Sequence, residues 1–378
     1  SLATVDPKAV CADGTPAGYY WRPANKSSTW IVDLQGGAWC YNLADCWRRC
    51  PRGTSDPLCS SKAWPPEADK DGLFQPARDA SLDNAHKVWV RYCTSDAHMG
   101  DGTAFGLQFR GARVVRAVFR DLVERLGLGA GLGGERDLLI VGGQSAGARG
   151  AMVHLDYVPD MLGAAAAAVD VVGLLDSPLW LDMPPFPGSR FAGFSETCRS
   201  VYDMANVTVL GADCAAAYPG AESWKCIMGQ YRMPFVKTPY FLIASQYDSY
   251  QLKTNIGHMP LTTAEKEYSV DFARRTAEFV ESLRDSWPAA ADRQNAVYSW
   301  ACYTHATTAD DKGYNTRTCQ GVTVDVAVQE FLGSRPEEPG GLQWVDNCPG
   351  FACGGGCWAS VPGSVGDDRV ASDRVFMT

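Results

Sequence analysis

Three things are scarce in this 378-residue sequence. Positive charge is the first: 34 Lys and Arg stand against 43 Asp and Glu, for a net charge of −9. That balance argues against nucleic-acid binding, which needs a basic face, and against a polyanionic ligand unless basic residues cluster locally. Long apolar runs are the second. The longest bland stretch, AAAAAVDVVGLL, is broken by Asp170 and falls short of the roughly eighteen residues of a membrane span. Histidine is the third. His86, His98, His154, His258 and His305 are scattered, with no cysteine–histidine cluster and no ordered C-x-x-C pair, so no metal site is expected. EADKDGLF has a calcium-loop look, but counting from Glu67 the twelfth position is Arg78 rather than Glu. It is taken as a solvated turn.

Cysteine is abundant by contrast. The fourteen cysteines include short loop spacings at Cys40, Cys46, Cys50 and Cys59, and again at Cys348, Cys353 and Cys357. An even count at such spacings predicts a disulfide framework and an oxidising, secretory or extracellular compartment. Sequons at Asn25 and Asn206 agree with a glycoprotein. SLATVDP at the start is not a basic-then-apolar leader, so any signal peptide is expected to have been removed.

Apolar strands alternate with amphipathic helices along the chain. AGYYWRP and TWIVDL predict a strand pair across a polar turn, and HKVWVRYC, RDLLIVGG, AAAAAVDVVGLLDSP and TPYFLIASQYD predict further strands. QFRGARVVRAVFRDLVERLGL places Val114, Val115, Val118, Phe119, Leu122 and Leu126 on one helix face. AGARGAMVHLDYV, EKEYSVDFARRTAEFVESLRDSW and VDVAVQEFLG predict other helices. This rhythm predicts an α/β fold with a mostly parallel central sheet flanked by helices. No linker divides residues 1–378, so a single domain is expected. Residues 185–235, rich in Pro, Gly and Cys, are expected to form a cap-like insertion. Residues 341–378 form a Cys-rich C-terminal extension. A monomer is expected.

GGQSAGARG puts Ser145 where a buried strand meets a helix start. In a nucleophile elbow the serine sits on a strained turn, and small neighbours such as Gly143, Ala146 and Gly147 leave room for it. A glycine-rich structural turn would look the same, so the partners decide. A serine hydroxyl needs a base, and the α/β-hydrolase order places an acid and then a histidine downstream. His305, in CYTHATT, is preferred over His258, in NIGHMP. Asp248, at the end of the strand in PYFLIASQYD, is preferred as the acid over Asp176 in LLDSPLW. QGGAWC follows an early strand, and its backbone N–H groups at Gly37 and Ala38, with that of Ala146, make an expected oxyanion hole. Trp39, Tyr41, Trp180, Tyr247 and Tyr250 are candidates for stacking on a sugar or lining an acyl slot, with packing an equal alternative for each.

DGTPAGYYW, LQGGAWCYNLADC, FRGARVV, GGQSAGARG, LLDSPLWLD, TPYFLIASQYDSYQL and CYTH together resemble the pectin acetylesterase/Notum family of α/β-hydrolase-like serine esterases. The resemblance runs from about residue 11 to about 335. It implies a secreted domain, a triad of Ser145, Asp248 and His305, and oxyanion donors at Gly37, Ala38 and Ala146. The sequence departs from the family at Ala38, where plant-type members carry a third glycine and the Notum branch a tryptophan. It departs also at Ala306, where plant members often carry cysteine, so the family's disulfide pairing does not transfer.

The function expected is removal of O-acetyl or other short acyl groups from a polysaccharide through an acyl-enzyme, with no cofactor. A fatty-acyl or lipid carboxylesterase of the Notum type is the first alternative. A catalytically silent, disulfide-rich binding domain is the second.

Overall fold

The computed structural model describes residues 1–74, 80–287, 293–309, 311–316, 318–334, 341–355, 357 and 373–377. Ten strands form one sheet: β1 (Tyr19–Arg22), β2 (Thr29–Leu34), β3 (Glu67–Lys70), β4 (His86–Val90), β5 (Asp137–Gln144), β6 (Val169–Asp176), β7 (Tyr240–Ile243), β8 (Ala296–Ser299), β9 (Leu342–Val345) and β10 (Asp373–Met377). Their spatial order is β9-β8-β7-β6-β5-β2-β4-β1-β10-β3. From β9 to β4 every neighbouring pair is parallel. The remaining strands β1, β10 and β3 add an antiparallel wing.

β5, DLLIVGGQ, is buried along nearly its whole length, as a central parallel strand covered on both faces must be. Helices on those faces include α1 (Gly111–Leu126) and α2 (Ala146–His154). Val114, Val115, Val118, Phe119 and Leu122 of α1 are all buried, and Gly127 at φ 84° ends it in the left-handed conformation that glycine adopts without strain. Three later helices matter for the site: α3 (Phe194–Met204), α4 (Ser249–Ile256) and α5 (Thr263–Ser282). No helix among the described residues is long and apolar enough to cross a membrane.

Three expectations are corrected. The first two strands are not a hairpin: β4 lies between β1 and β2, antiparallel to one and parallel to the other. EADKDGLF is not a solvated turn; Glu67–Lys70 is strand β3, and Leu73 and Phe74 are buried just after it. The even cysteine count does not mean complete pairing. Six disulfides join Cys11–Cys93, Cys40–Cys46, Cys50–Cys59, Cys214–Cys226, Cys302–Cys357 and Cys348–Cys353, while Cys198 and Cys319 are buried free thiols. The C-terminal extension contributes two strands to the sheet, since β9 pairs with β8 and β10 with β1.

Residues 185–235 hold α3 and several short helical turns. Arg149 of α2 donates to the Ile227 carbonyl at 2.8 Å, tying this segment to the helix after the elbow.

Candidate active site

Loops leaving the carboxyl ends of β2, β5, β6, β7 and β8 carry every residue of the candidate site, the edge where parallel α/β sheets bind ligands. Ser145 follows β5 directly and precedes α2, with φ 56° and ψ −122°. A non-glycine residue in so sparse a region costs about 1–3 kcal/mol. The surroundings over-determine it. The Ser145 N–H donates to the Asp176 carbonyl at 2.9 Å, and the Ser145 carbonyl accepts from Arg149 N at 3.1 Å. A Cβ at Gly143 would lie 2.5 Å from the Leu34 carbonyl oxygen, and one at Gly147 would overlap that same oxygen. Both glycines are there because β2 presses against the turn.

His305 and Asp248 arrive together. Tyr247–Asp248 pairs in parallel with Tyr303–Thr304, so the residues after each strand end emerge side by side. The Asp248 side chain caps α4, where Oδ1 accepts from Gln251 N at 2.9 Å. Its Oδ2 accepts from His305 Nδ1 at 2.7 Å. A carboxylate only accepts, so Nδ1 holds the ring proton. Nε2 is then the acceptor facing the Ser145 hydroxyl, Oγ lying 2.8 Å away. The Tyr250 ring stacks on the imidazole at 5.2 Å between centroids. Burial alone would lower the His305 pKa. The charge and hydrogen bond of Asp248 outweigh it, Asp176 adds to them, and the imidazole stands above its ordinary value.

Asp176, the alternative acid, has another position. It is wholly buried at the end of β6. Its Oδ2 accepts from Thr308 N at 2.6 Å and from Thr308 Oγ1 at 2.8 Å, and its Oδ1 accepts from Ser177 Oγ at 2.9 Å. Ser177 Oγ in turn accepts from Ala306 N at 3.2 Å. Asp176 thus holds the backbone on the far side of His305. Burial pushes its carboxyl up, against the opposing effect of these hydrogen bonds. His258 lies outside the constellation; it is half-exposed and faces Glu265.

The loop after β2 lies against the elbow: a Cβ at Gly36 would be 2.5 Å from the Gln144 carbonyl oxygen and 3.2 Å from Ser145 Cβ. Gly37 and Ala38 have φ of 145° and 56°. Arg49 Nη2 donates to the Gly37 carbonyl, and Tyr92 Oη donates to the Ala38 carbonyl at 2.8 Å. The first bond fixes the Gly37–Ala38 peptide plane and turns the Ala38 N–H away from Arg49, and the second does the same for the Trp39 N–H. The N–H groups of Gly37 and Ala38 have no hydrogen-bond partner among the described residues. That of Ala146, at the first turn of α2, is free of helix bonding by position. The loop, the elbow and the histidine therefore supply a hydroxyl, a base and free backbone donors on one surface, which is equipment for acyl transfer.

The support behind this loop is not evident in the sequence, where TSDAHMG reads as plain loop. Asp96 accepts from Thr94 Oγ1 and from the backbone N–H groups of His98, Gly100 and Gly111. His98 Nε2 lies 2.9 Å from the Gln35 carbonyl oxygen and His154 Nε2 lies 2.8 Å from the His98 carbonyl oxygen. Burial lowers both imidazoles to about 4, so they are neutral struts. A buried carboxylate ringed by amides has loop-like composition, and only its chain of glycine and Thr neighbours hints at it.

The aromatic candidates divide. Trp39 and Trp180 meet edge-to-face at 4.6 Å, both buried, and Tyr41 is partly exposed. Tyr247 belongs elsewhere: its hydroxyl donates to the Gly350 carbonyl at 2.8 Å and its ring packs on Phe351. Asn25 and Asn206 are exposed. Among the described residues no group of three or more His, Cys, Asp or Glu is placed to hold a metal ion.

A match to the pectinacetylesterase family covers residues 2–357. Palmitoleoyl-protein carboxylesterase NOTUM of Drosophila melanogaster is 31% identical over 306 residues, which are 78% of this chain and 43% of that protein. The protein of the same name in Homo sapiens is 30% identical over 261 residues, 66% of this chain and 51% of the relative. This chain thus spans about half the length of these curated relatives. Pectin acetylesterase 11 of Arabidopsis thaliana is 28% identical over 341 residues, 83% of either protein. A solved structure described as the Wnt deacylase Notum from Drosophila superposes with a TM-score of 0.79 at 26% identity, covering 93% of this chain and 96% of that one. With a buried parallel sheet, a serine elbow at its carboxyl edge and a family match from end to end of the described core, the chain belongs to the pectinacetylesterase family, whose named members above are carboxylesterases and an acetylesterase.

Proposed function

We propose that this protein is a secreted serine carboxylic-ester hydrolase that removes acetyl or similarly short acyl groups from a polysaccharide. The observation that carries it is the unbroken hydrogen-bonded line from Asp248 through His305 to Ser145 beside the free N–H groups of Gly37 and Ala38. In the proposed cycle Ser145 Oγ attacks the ester carbonyl while His305 Nε2 takes its proton. Asp248 holds the Nδ1–H tautomer and stabilises the imidazolium. The tetrahedral oxyanion is held by the N–H groups of Gly37, Ala38 and Ala146. His305 returns its proton to the sugar alcohol, and water repeats the sequence on the acyl-enzyme. Six disulfides and two exposed sequons support an oxidising compartment.

A fatty-acyl carboxylesterase is the second candidate, favoured by the relatives named for palmitoleoyl-protein substrates. The deciding experiment measures acetate release from acetylated xylan, pectin and other glycans, with p-nitrophenyl esters of rising chain length run beside them. The expected result is acetate release that falls by about 10⁶-fold in Ser145→Ala, the scale of nucleophile removal in serine hydrolases. Rates that climb from acetate to octanoate would replace acetylesterase by the fatty-acyl activity. Absence of turnover together with no covalent organophosphonate label on Ser145 would leave a silent binding domain.

A further inference from the structure

Arg149 is a buried cation that the proposed chemistry does not use. It lies one helical turn after Ser145, on α2, and is 0% exposed. Its guanidinium carbon sits 3.8 Å from the centroid of the Trp39 ring and 3.3 Å from that of Trp180. Nη2 donates to the Ile227 carbonyl and approaches Cys198 Sγ at 3.5 Å. Nε and Nη1 have no partner among the described residues. Two indole faces thus offset the cost of burying a charge with incomplete hydrogen bonding.

The place it fills is part of the site. Trp39 directly follows Ala38 in the loop of free N–H groups. Trp180 packs on Phe194 at 4.5 Å and stacks with Tyr250 at 6.3 Å, and Tyr250 lies on His305. An aromatic shell therefore runs from the oxyanion loop round to the histidine, and Arg149 occupies its interior.

Resting on the esterase activity proposed above, we infer that Arg149 is the specificity-determining residue that plugs the acyl end of the site and restricts the acyl group to short chains. A linear side chain clamped between Trp39 and Trp180 takes the volume that an aliphatic tail would otherwise enter. The helix places it there because residues four apart share a face. Truncation would leave an aromatic-walled, largely apolar slot against Trp39, the residue next to the oxyanion loop's Ala38.

The test compares kcat/KM for p-nitrophenyl acetate, butyrate, hexanoate and octanoate in the wild type, Arg149→Ala and Arg149→Met. Methionine keeps a linear side chain and most of the volume while removing the charge, so it separates lost volume from lost charge. If the alanine variant does not fold, Arg149→Val, a smaller truncation, is read in its place with the same expected and overturning ratios. Each methylene accepted by an apolar pocket is worth about 10–200-fold. The expected result is an octanoate-to-acetate ratio at least about tenfold higher in Arg149→Ala, with Arg149→Met staying near the wild-type ratio. An unchanged ratio in Arg149→Ala with acetate turnover retained would overturn the plug. So would a shift in Arg149→Met as large as in Arg149→Ala. Failure of the esterase reading is distinguishable, because the wild type would then turn over none of the four esters.

Discussion

The two sides of the candidate site are held by different physics. On the serine side the constraint is steric: glycines at 143 and 147 let β2 press on a turn whose serine has a left-handed φ. On the histidine side it is polar and covalent. Asp248 and Asp176 grip the segment from His305 to Thr308, and Cys302–Cys357 ties the bend just before it to the C-terminal segment. The first side fails when an atom is added, the second when a hydrogen bond is removed.

Asp248→Asn is the largest test of this contrast. Asparagine caps a helix as well as aspartate does, so α4 is expected to persist while turnover drops about 10⁴-fold through the wrong imidazole tautomer. The pH profile fixes the sign. The base works only when neutral, so wild-type activity falls as pH drops through a His305 pKa above its ordinary 6.5. With the carboxylate gone and burial retained, the residual activity of Asp248→Asn should lose its acid limb at lower pH. A limb that stays in place would show that Asp248 does not set it.

Gly147→Ala comes next and acts on the other side. Its methyl would overlap the Leu34 carbonyl, and overpacking against backbone is expected to cost about 3 kcal/mol. Urea unfolding midpoints measure this, and an unchanged midpoint would mean that β2 yields easily. Asp176→Asn should be the mildest. It weakens the hold on Thr308 without touching substrate, and misplacement of a catalytic group by about an ångström costs up to ~10²-fold. The expected signature is a loss in kcat with KM nearly unchanged, and a small downward move of the acid limb. An unaltered pH profile would reduce Asp176 to scaffold.

Much of this was legible in the sequence. Ser145, Asp248 and His305 stood out because each follows an apolar strand and because hydrolase chemistry demands their order. The alternation of buried strands and one-faced helices specified the parallel sheet. What the sequence hid was long-range pairing. Nothing in AGYYWRP or TWIVDL says that HKVWV will enter between them, and Glu67–Lys70 becomes a strand only because β10 pairs with it. Cysteine parity misled because a buried thiol such as Cys198 packs like any small apolar residue. Asp96, His98 and Tyr92 escaped notice because buried polar support has the composition of a loop.

One tie has a consequence in time. β8 leads into the histidine segment, and its outer neighbour β9 and the Cys357 sulfur come from residues 342–357. Gln246 donates to the Asp346 carbonyl, and the Ala301 N–H to the Asp346 carboxylate. A nascent chain that has emerged only as far as Phe331 already carries Ser145, Asp248 and His305, yet lacks the strand and the sulfur that seat the last of them. The set of contacts that seats His305 is therefore complete only when the chain has been made through Cys357.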